Sequence, residues 1–252
     1  MGFRFKAFAA HVGLSACVLA LVLGGLFLGW YRWPGWYVTG FLHVSGILLA
    51  VDVTMGPLFT LLIANPRKPR KVLARDIAVI AVLQVVALLY GVSTLWGGRP
   101  LYYAYSTREL ETVAAVQIPP SEAELGRQQN PDLAPHWYSL PRWVWAPMTK
   151  GPIQPAHMAS AEGAAGRTDV TQMPRLYRPL SQAGDVLRSE LRTVDHWGIF
   201  TKQEKQLMKE RMSARGLPTD QPDTLFMIGH DRPVLVVFDR ATLRILALIR
   251  AD

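Results

Sequence analysis

Three long stretches that are almost free of charged side chains constrain this chain more than any other feature. The first runs from Ala7 to Trp30 and the third from Ile77 to Gly98, and neither contains Lys, Arg, Asp or Glu. The second runs from Trp33 to Asn65, where Asp52 is the one charged residue. A helix needs about 20 apolar residues to cross the hydrocarbon core of a bilayer, which is about 30 Å thick. The sequence therefore predicts three transmembrane α-helices, over residues 8–30, 38–64 and 77–96.

The net charge of +8 is concentrated beside these stretches. Residues 1–98 hold eight basic and two acidic side chains, whereas residues 99–252 hold 19 basic and 17 acidic ones. The segment 65–76 has five basic residues and one acid, and short loops rich in Lys and Arg stay in the cytoplasm. We therefore predict a cytoplasmic N-terminus and a periplasmic domain at 98–252. The balanced charge of that domain does not indicate a nucleic-acid surface.

The N-terminus carries basic residues before an apolar run, as a signal peptide does. Arg4 and Lys6 precede the first stretch, but this stretch continues to Trp30 and does not end in a small-residue cleavage site. We expect an uncleaved membrane anchor over this region. Cys17 is the single cysteine of the chain, which excludes an intrachain disulfide.

Asp52 lies near the middle of the second stretch, where a charged side chain is costly. On insertion scales an ionised carboxylate there costs about 2.5–3.5 kcal/mol, so we expect Asp52 to be protonated, paired or turned toward protein. Ser45, Gly56 and Thr60 lie at helical spacing from Asp52 and share one face with it. Pro57 predicts a kink just below Asp52, and the small residues on this face would let another helix approach closely.

Three roles for Asp52 remain open from the sequence. It can form a hydrogen bond between the second and third spans, with the Tyr90 hydroxyl as candidate partner and Gln84 lying lower. It can instead be a docking point for a partner helix, or part of a path for protons or ions. We place the hypothesis of partner-helix binding at seven positions: Ser45, Asp52, Gly56, Pro57, Thr60, Gln84 and Tyr90. His11 and His43 are expected near the membrane interfaces.

Residues 98–252 have the pattern of an α+β domain with a small antiparallel sheet. Aromatic and β-branched residues at 99–118 predict one or two strands, and the C-terminal segment from 224 predicts two or three. A tight turn is expected at DRAT, residues 239–242. The segment 119–179 contains ten prolines, which predicts irregular structure with a short helix at 121–128.

Local signals in this domain also predict where its helices begin and end. Helices are expected at 181–194 and 201–215, and Gly216 followed by Pro218 ends the second. Capping boxes are predicted for two pairs, Ser121 with Glu124 and Thr201 with Glu204. A set of four aromatic residues lies among the prolines, and we favour a packing role over a binding face for them: Trp137, Tyr138, Trp143 and Trp145.

We find no sequence signature of catalysis. The chain has no GxxxxGK[ST], GxGxxG, HExxH, GxSxG or paired CxxC pattern. The six histidines are scattered without the spacing of metal ligands. His196, beside Asp195 and Trp197, is the local feature to check first. We therefore predict a non-enzymatic protein that uses no cofactor and no metal ion.

Three segments of the membrane part carry a resemblance to a known family. They are FKAFAAH near the N-terminus, VDVTMGPLFTLLI in the second span and RDIAVIAVLQVVALLYG in the third. Over residues 4–100 the chain resembles type IV pilin accessory proteins of the TfpX/TfpZ kind, and beyond residue 100 the match is loose. The matching positions are Asp52, Gly56, Pro57, Thr60, Asp76, Gln84, Tyr90 and Gly91.

The resemblance implies an inner-membrane protein with a periplasmic domain and no catalytic activity. Such proteins assist pilin stability, pilus assembly or pilus dynamics in a chaperone-like way. The implied partners are a type IV pilin subunit, through its membrane helix and its periplasmic head, and the lipid bilayer. Two alternatives stay open: a membrane sensor whose outer domain binds a ligand, and a membrane-anchored periplasmic enzyme.

Overall fold

The structure is a computed structural model that describes residues 2–63, 69–106, 109–147, 169–229, 233–250 and 252. The chain divides into two compact units, Met1–Arg99 and Pro100–Asp252. The first unit is helical, and the second combines a seven-stranded sheet with three α-helices among its described residues. This architecture confirms the predicted fold class of three N-terminal apolar helices followed by an α+β domain.

Within residues 2–63 and 69–99, the first unit contains five α-helices and one π-helix. Their bounds are α1 Phe3–Gly29, α2 Gly35–Val38, α3 Phe41–Leu49, the π-helix Ala50–Met55, α4 Gly56–Ile63 and α5 Arg70–Gly98. Because α3, the π-helix and α4 are continuous, three helical segments are long and apolar enough to cross a membrane. These segments are Arg4–Gly29, Phe41–Ile63 and Arg70–Gly98.

Two of these helices begin elsewhere than the sequence predicts. The second span begins at Phe41 rather than at residue 38, because Gly40 has a left-handed φ of 69° that ends the short helix α2. The third begins at Arg70 rather than at residue 77. The basic segment therefore includes the first two turns of α5.

The second span changes its hydrogen-bond pattern in the middle. Asp52 lies within the π-helix Ala50–Met55, and Pro57 follows directly after the first residue of α4. Proline has no N–H, and its ring crowds the carbonyl of the residue four positions earlier. The disturbance that Pro57 predicts therefore takes the form of a widened turn around Asp52. Such turns are frequent at functional sites.

Two glycines allow α5 to pack closely against the second span. A Cβ atom added to Gly91 would lie 2.1 Å from Leu48 Cδ2, and one added to Gly56 would lie 2.0 Å from Gln84 Nε2. The close helix approach predicted from small residues is thus made within the chain itself. An apolar cluster further along the helices completes the packing: Leu19, Leu26, Tyr31, Phe41, Leu48 and Leu95.

The second unit is built on one mixed sheet. Its strands are β1 Pro100–Ser106, β2 Glu109–Ala114, β3 Arg142–Trp145, β4 Arg178–Pro179, β5 Thr224–Met227, β6 Val234–Phe238 and β7 Ile245–Arg250. Its helices are α6 Pro120–Gln129, α7 Gly184–Glu190 and α8 Lys202–Ser213. The strand order is β4-β3-β1-β2-β5-β6-β7. The strands predicted at 99–118 and after residue 224 are confirmed as β1, β2 and β5 to β7.

The prediction of an antiparallel sheet is wrong at two places in this order. The pairs β1–β3 and β2–β5 are parallel, whereas the other pairs are antiparallel. Parallel pairing needs a long crossover connection. The segment with α6 supplies one such connection, and the long segment with α7 and α8 supplies the other. Local sequence patterns do not show which distant strands will meet.

The core of the second unit centres on β6. All five of its residues are fully buried, which explains their continuous apolar run. Leu187 of α7 and Met208 and Met212 of α8 are also fully buried. Trp143 lies 4.6 Å from the Tyr103 ring, as expected for a packing residue. Trp137 and Tyr138, by contrast, are 72% and 58% exposed.

Helix and turn signals succeed in two cases and fail in another. Thr201 and Glu204 form the predicted capping box, with Glu204 N donating to Thr201 Oγ1 at 3.2 Å and Thr201 N to Glu204 Oε2 at 2.7 Å. The DRAT turn is also confirmed, since Asp239 Oδ1 accepts two backbone N–H groups. The capping box at Ser121 is wrong. Pro120 already opens α6, which places Ser121 inside the first turn.

The predicted helix at 181–194 is shorter in the structure. A 3₁₀ turn over Leu180–Ala183 precedes α7, which ends at Glu190. Gly184, the first residue of α7, has a positive φ of 50°, and this change of backbone direction separates the turn from the helix. Part of the predicted irregular region, residues 148–168, lies outside the described residues.

The two outer strands of the sheet offer little backbone for pairing. At one end β4 has only two residues. At the other end, Arg211 Nη1 donates to the Arg250 carbonyl at 2.9 Å and Arg215 Nη1 to the Leu248 carbonyl at 3.4 Å. Side chains from α8 and its C-terminal end thus occupy carbonyls of the edge strand β7.

Candidate partner-binding site in the membrane helices

Polar side chains from all three spans meet inside the helical unit. His11 of α1 lies 2.6 Å from Thr60 Oγ1 through Nδ1 and 2.6 Å from Gln84 Oε1 through Nε2. The Gln84 Oε1 atom accepts a hydrogen bond from Nε2–H of His11, and the Thr60 hydroxyl, which also donates to the Gly56 carbonyl at 3.2 Å, contacts the other ring nitrogen. The chain therefore uses His11, Thr60 and Gln84 to join its spans by hydrogen bonds.

The amide of Gln84 extends this network to the π-helix. Gln84 Nε2 donates to the Asp52 carbonyl at 3.1 Å. A carbonyl in this turn lacks an intrahelical donor because Pro57 has no N–H, so a side-chain donor there is expected. Gly56 makes the contact possible, since a Cβ at this position would overlap the Gln84 amide.

The carboxyl group of Asp52 stands apart from this network. Asp52 is the middle residue of the span Phe41–Ile63 and is only 4% exposed. Its Oδ1 atom is buried and has no hydrogen-bond partner among the described residues. A polar group buried without a partner is unfavourable, and in hydrocarbon such a group marks a candidate functional site.

A groove of about 170 Å³ lies between α1 and α5, and Asp52 forms part of its lining. We call it the α1–α5 groove. Its α1 wall consists of His11, Leu14, Ser15 and Val18, and its α5 wall consists of Ala81, Gln84, Val85 and Leu88. Each wall has the spacing of one helix face over two turns. The groove is therefore a regular channel with a carboxyl group in its lining.

The structure brings some of the seven predicted binding residues together and separates others. Asp52 and Gln84 line the α1–α5 groove. Gly56, Pro57 and Thr60 are buried within the helical unit. The remaining two lie elsewhere: Ser45 is half-buried on α3, and Tyr90 is 76% exposed on α5. Partner-helix binding by these residues stays a prediction.

The Tyr90 hydroxyl, one candidate partner for Asp52, makes no hydrogen bond with it in the part of the chain that the structure describes, and Tyr90 is exposed. Tyr90 follows Gln84 by six residues, so it points to a different side of α5. Gln84 makes the link between the second and third spans instead, through the backbone carbonyl of Asp52.

Sequence reasoning missed the role of His11, which lies in the polar network rather than at an interface. A signal for it was present. Each of the three spans carries a neutral polar residue within its apolar run, and such groups need partners in hydrocarbon. Three polar side chains on three spans therefore indicate a shared contact.

The second unit offers no comparable site among its described residues. No group of three His, Cys, Asp or Glu side chains there could hold a metal ion. The carboxylate of Asp195 accepts a hydrogen bond from Lys209 Nζ at 2.6 Å, and His196 contacts the edge of Trp197. The sequence feature at His196 thus has an ordinary packing explanation.

Two acidic residues in this unit, Asp223 and Glu109, have a raised pKa. Burial raises the pKa of Asp223, which is 6% exposed and whose Oδ1 has no partner among the described residues. Burial also raises the pKa of Glu109, and the negative charges of Glu111 and Asp169 add to this shift.

Comparison with known proteins gives relatives from one organism. No family model and no solved structure matches the chain. The fimbrial assembly protein of Dichelobacter nodosus serogroups C1 and C2 is 31% identical over 111 residues, which are 44% of this chain and 82% of that protein. The serogroup I protein is 25% identical over 191 residues, or 74% of this chain and 70% of that protein. The serogroup E1 protein is 26% identical over 139 residues, or 55% and 51%.

Proposed function

The chain belongs to the family of the Dichelobacter nodosus fimbrial assembly proteins, and from this premise we propose that it is a membrane-bound accessory factor for assembly of type IV pili. The observation that carries the proposal is the 31% identity with the serogroup C1 and C2 protein across 82% of its length. The three apolar helices, which are able to span a membrane, support it. We assign the chain no chemical reaction, since the names of its relatives describe assembly.

We further propose that the partner is a pilin subunit. A pilin waits for assembly with an apolar helix in the membrane and a folded head outside it, as the resemblance implies. This chain has the matching parts, a helical membrane unit and a separate α+β unit. Binding to both parts of a pilin would stabilise the subunit before it enters the pilus.

The proposed location is the inner membrane, with the α+β unit in the periplasm. Basic residues occupy the first turns of α1 and α5, and aromatic residues occupy their other ends. The rings of Trp30 and Trp96 lie 5.0 Å apart, so the C-terminal ends of α1 and α5 meet. Basic ends on one side and aromatic ends on the other support a cytoplasmic N-terminus.

Deletion of the gene tests the proposed role. We expect the deletion strain to lose surface pili by electron microscopy and to lose sheared surface pilin on immunoblots, and the full chain to restore both. Total cellular pilin measured in the same strains separates an effect on pilin stability from one on assembly. Unchanged surface pili in the deletion strain would overturn the proposed function.

Reporter fusions test the proposed orientation. Alkaline phosphatase joined after residue 252 should be active, because this enzyme matures only outside the cytoplasm, whereas the same reporter placed in the 65–69 segment should be inactive. The reverse pattern would contradict the orientation without affecting the family assignment.

A further inference from the structure

We propose that the α1–α5 groove seats the membrane helix of a pilin subunit, and that a hydrogen-bond donor on this helix binds the carboxyl group of Asp52. The inference deepens the proposed function and rests on it for the identity of the partner. It places the binding surface on α1 and α5, and so differs from a site spread over one face of the second span.

The shape of the groove fits a helix. The positions on each wall are spaced i, i+3, i+4 and i+7, so each wall is a ridge about 10 Å long. Two neighbouring ridges leave a channel that the ridge of a third helix can enter. Leu14 and Val85 on the two walls are 66% and 53% exposed, so their side chains are accessible to such a helix.

Apolar shape alone does not select a helix over lipid, because acyl chains are as apolar as leucine. Asp52 makes the difference. His11, Thr60 and Gln84 satisfy one another, whereas the Asp52 Oδ1 atom has no partner among the described residues. An acyl chain has no donor to offer this oxygen. A helix with a hydroxyl, amide or amino group at mid-membrane depth can supply one.

The position of Asp52 along the second span also favours a helix as the partner. Asp52 lies at the midpoint of the 23-residue span, far from interfacial water and lipid headgroups. The backbone carbonyl of Asp52, in the π-helical turn, accepts a hydrogen bond from Gln84, and Gly56 leaves room for this contact. Asp52 lines the groove, so a helix seated there is placed to supply the donor that its buried carboxyl group lacks.

Site-specific photocrosslinking in living cells tests whether a pilin helix binds in the α1–α5 groove. Val85 and Val86 are a matched pair, since they are adjacent, identical and similarly exposed at 53% and 59%. Val85 lines the groove and Val86 does not. With a photoreactive amino acid at each position in turn, we expect pilin to be captured at 85 and not at 86. Equal capture at both positions, capture of lipid alone or capture of a second copy of this chain would overturn the inference.

Replacement of the carboxyl group tests the role of Asp52. Because Oδ1 has no partner, Asp52→Leu should leave the melting temperature of the purified chain in detergent unchanged or higher. Pilin capture at 85 should fall about threefold to tenfold, the range for a hydrogen bond between membrane helices. Thr54→Val is the matched control, since Thr54 lies in the same π-helix, is exposed and does not line the groove. It should leave capture unchanged.

The outcomes separate this inference from the proposed function. If the deletion strain loses its pili while position 85 captures no pilin, the groove inference fails and the proposed function stands. If the deletion strain keeps its pili, the proposed function fails, and the groove inference loses its partner with it. If Asp52→Leu captures pilin as well as the unaltered chain does, the carboxyl group is not the contact.

Discussion

The two units of this protein differ in how they distribute apolar and polar side chains between surface and interior. The helical unit directs apolar side chains outward, with Leu21 78% exposed, and holds His11, Asp52 and Gln84 among its helices. The α+β unit buries a fully apolar strand, β6. The contrast follows from the solvent. Lipid gives no gain for burying apolar surface, whereas water does.

This difference teaches where each unit obtains its stability. The helices of the first unit depend on close approach at Gly56 and Gly91 and on hydrogen bonds between spans. The second unit depends on apolar area removed from water, to which β6 and Leu187 contribute. The same substitution should therefore have different effects in the two units, which the following experiments can check.

The largest effect is expected from truncation of a buried phenylalanine in the α+β unit. Phe238→Ala should lower the free energy of unfolding of this unit by about 3–5 kcal/mol. Phe41→Ala in the helical unit should cost clearly less, because only packing contacts are lost in lipid. Proteolysis of the full chain in urea measures the loss of stability for Phe238→Ala. Unfolding in mixed micelles measures the loss for Phe41→Ala. Equal losses of unfolding free energy in the two variants would contradict the proposed difference between the two units.

The next largest effect is expected at a helix contact in the first unit. A Cβ at Gly91 would overlap Leu48, so Gly91→Ala should destabilise the helical unit by about 1–3 kcal/mol. Gly25→Ala is the control, because no atom lies within 4 Å of its Cβ position. It should be neutral or stabilising, since alanine favours helix. Similar melting temperatures for both variants in detergent would contradict close approach at Gly91.

A smaller effect is expected from a helix cap in the second unit. Thr201→Ala removes the side-chain acceptor at the start of α8 and should cost about 1 kcal/mol. Ser121→Ala is the control. Ser121 lies inside the first turn of α6 and caps nothing there, so we expect a change within about 0.5 kcal/mol. Urea titrations of the full chain should distinguish the two variants.

The smallest effect should depend on pH. Burial raises the pKa of Asp223, so the folded state binds this proton more tightly than the unfolded state, and wild-type stability falls as pH rises through the pKa. Asp223→Asn is always neutral, and should therefore melt higher than wild type at neutral pH. The gain should disappear in acid, where Asp223 is itself protonated. A gain that is the same at both pH values would show that charge is not the cause.

Much of the fold could be predicted because its signals are local. Uncharged stretches predict the three spans, since length and apolar character alone decide whether a helix can cross a bilayer. The capping box at Thr201 and the turn at Asp239 depend on residues within three positions of one another. Such contacts form wherever the rest of the chain goes.

The sheet order and the candidate site could not be predicted in the same way. Leu110 pairs with Met227 in the parallel contact of β2 and β5, and no local pattern connects residues so far apart. The groove requires the rotation of α1 against α5. A hydrogen-bond contact between these two helices runs from His11 to Gln84, and it joins residues 73 positions apart, which no local pattern connects.

The arginines along β7 have a consequence for association between molecules of this protein and other chains. Exposed backbone at a sheet border recruits strands from other molecules and starts aggregation. Arg211 and Arg215 hold carbonyls that a foreign strand would need, and the two-residue β4 gives such a strand little to join. The α+β unit therefore offers a foreign strand little free backbone at either border of its sheet.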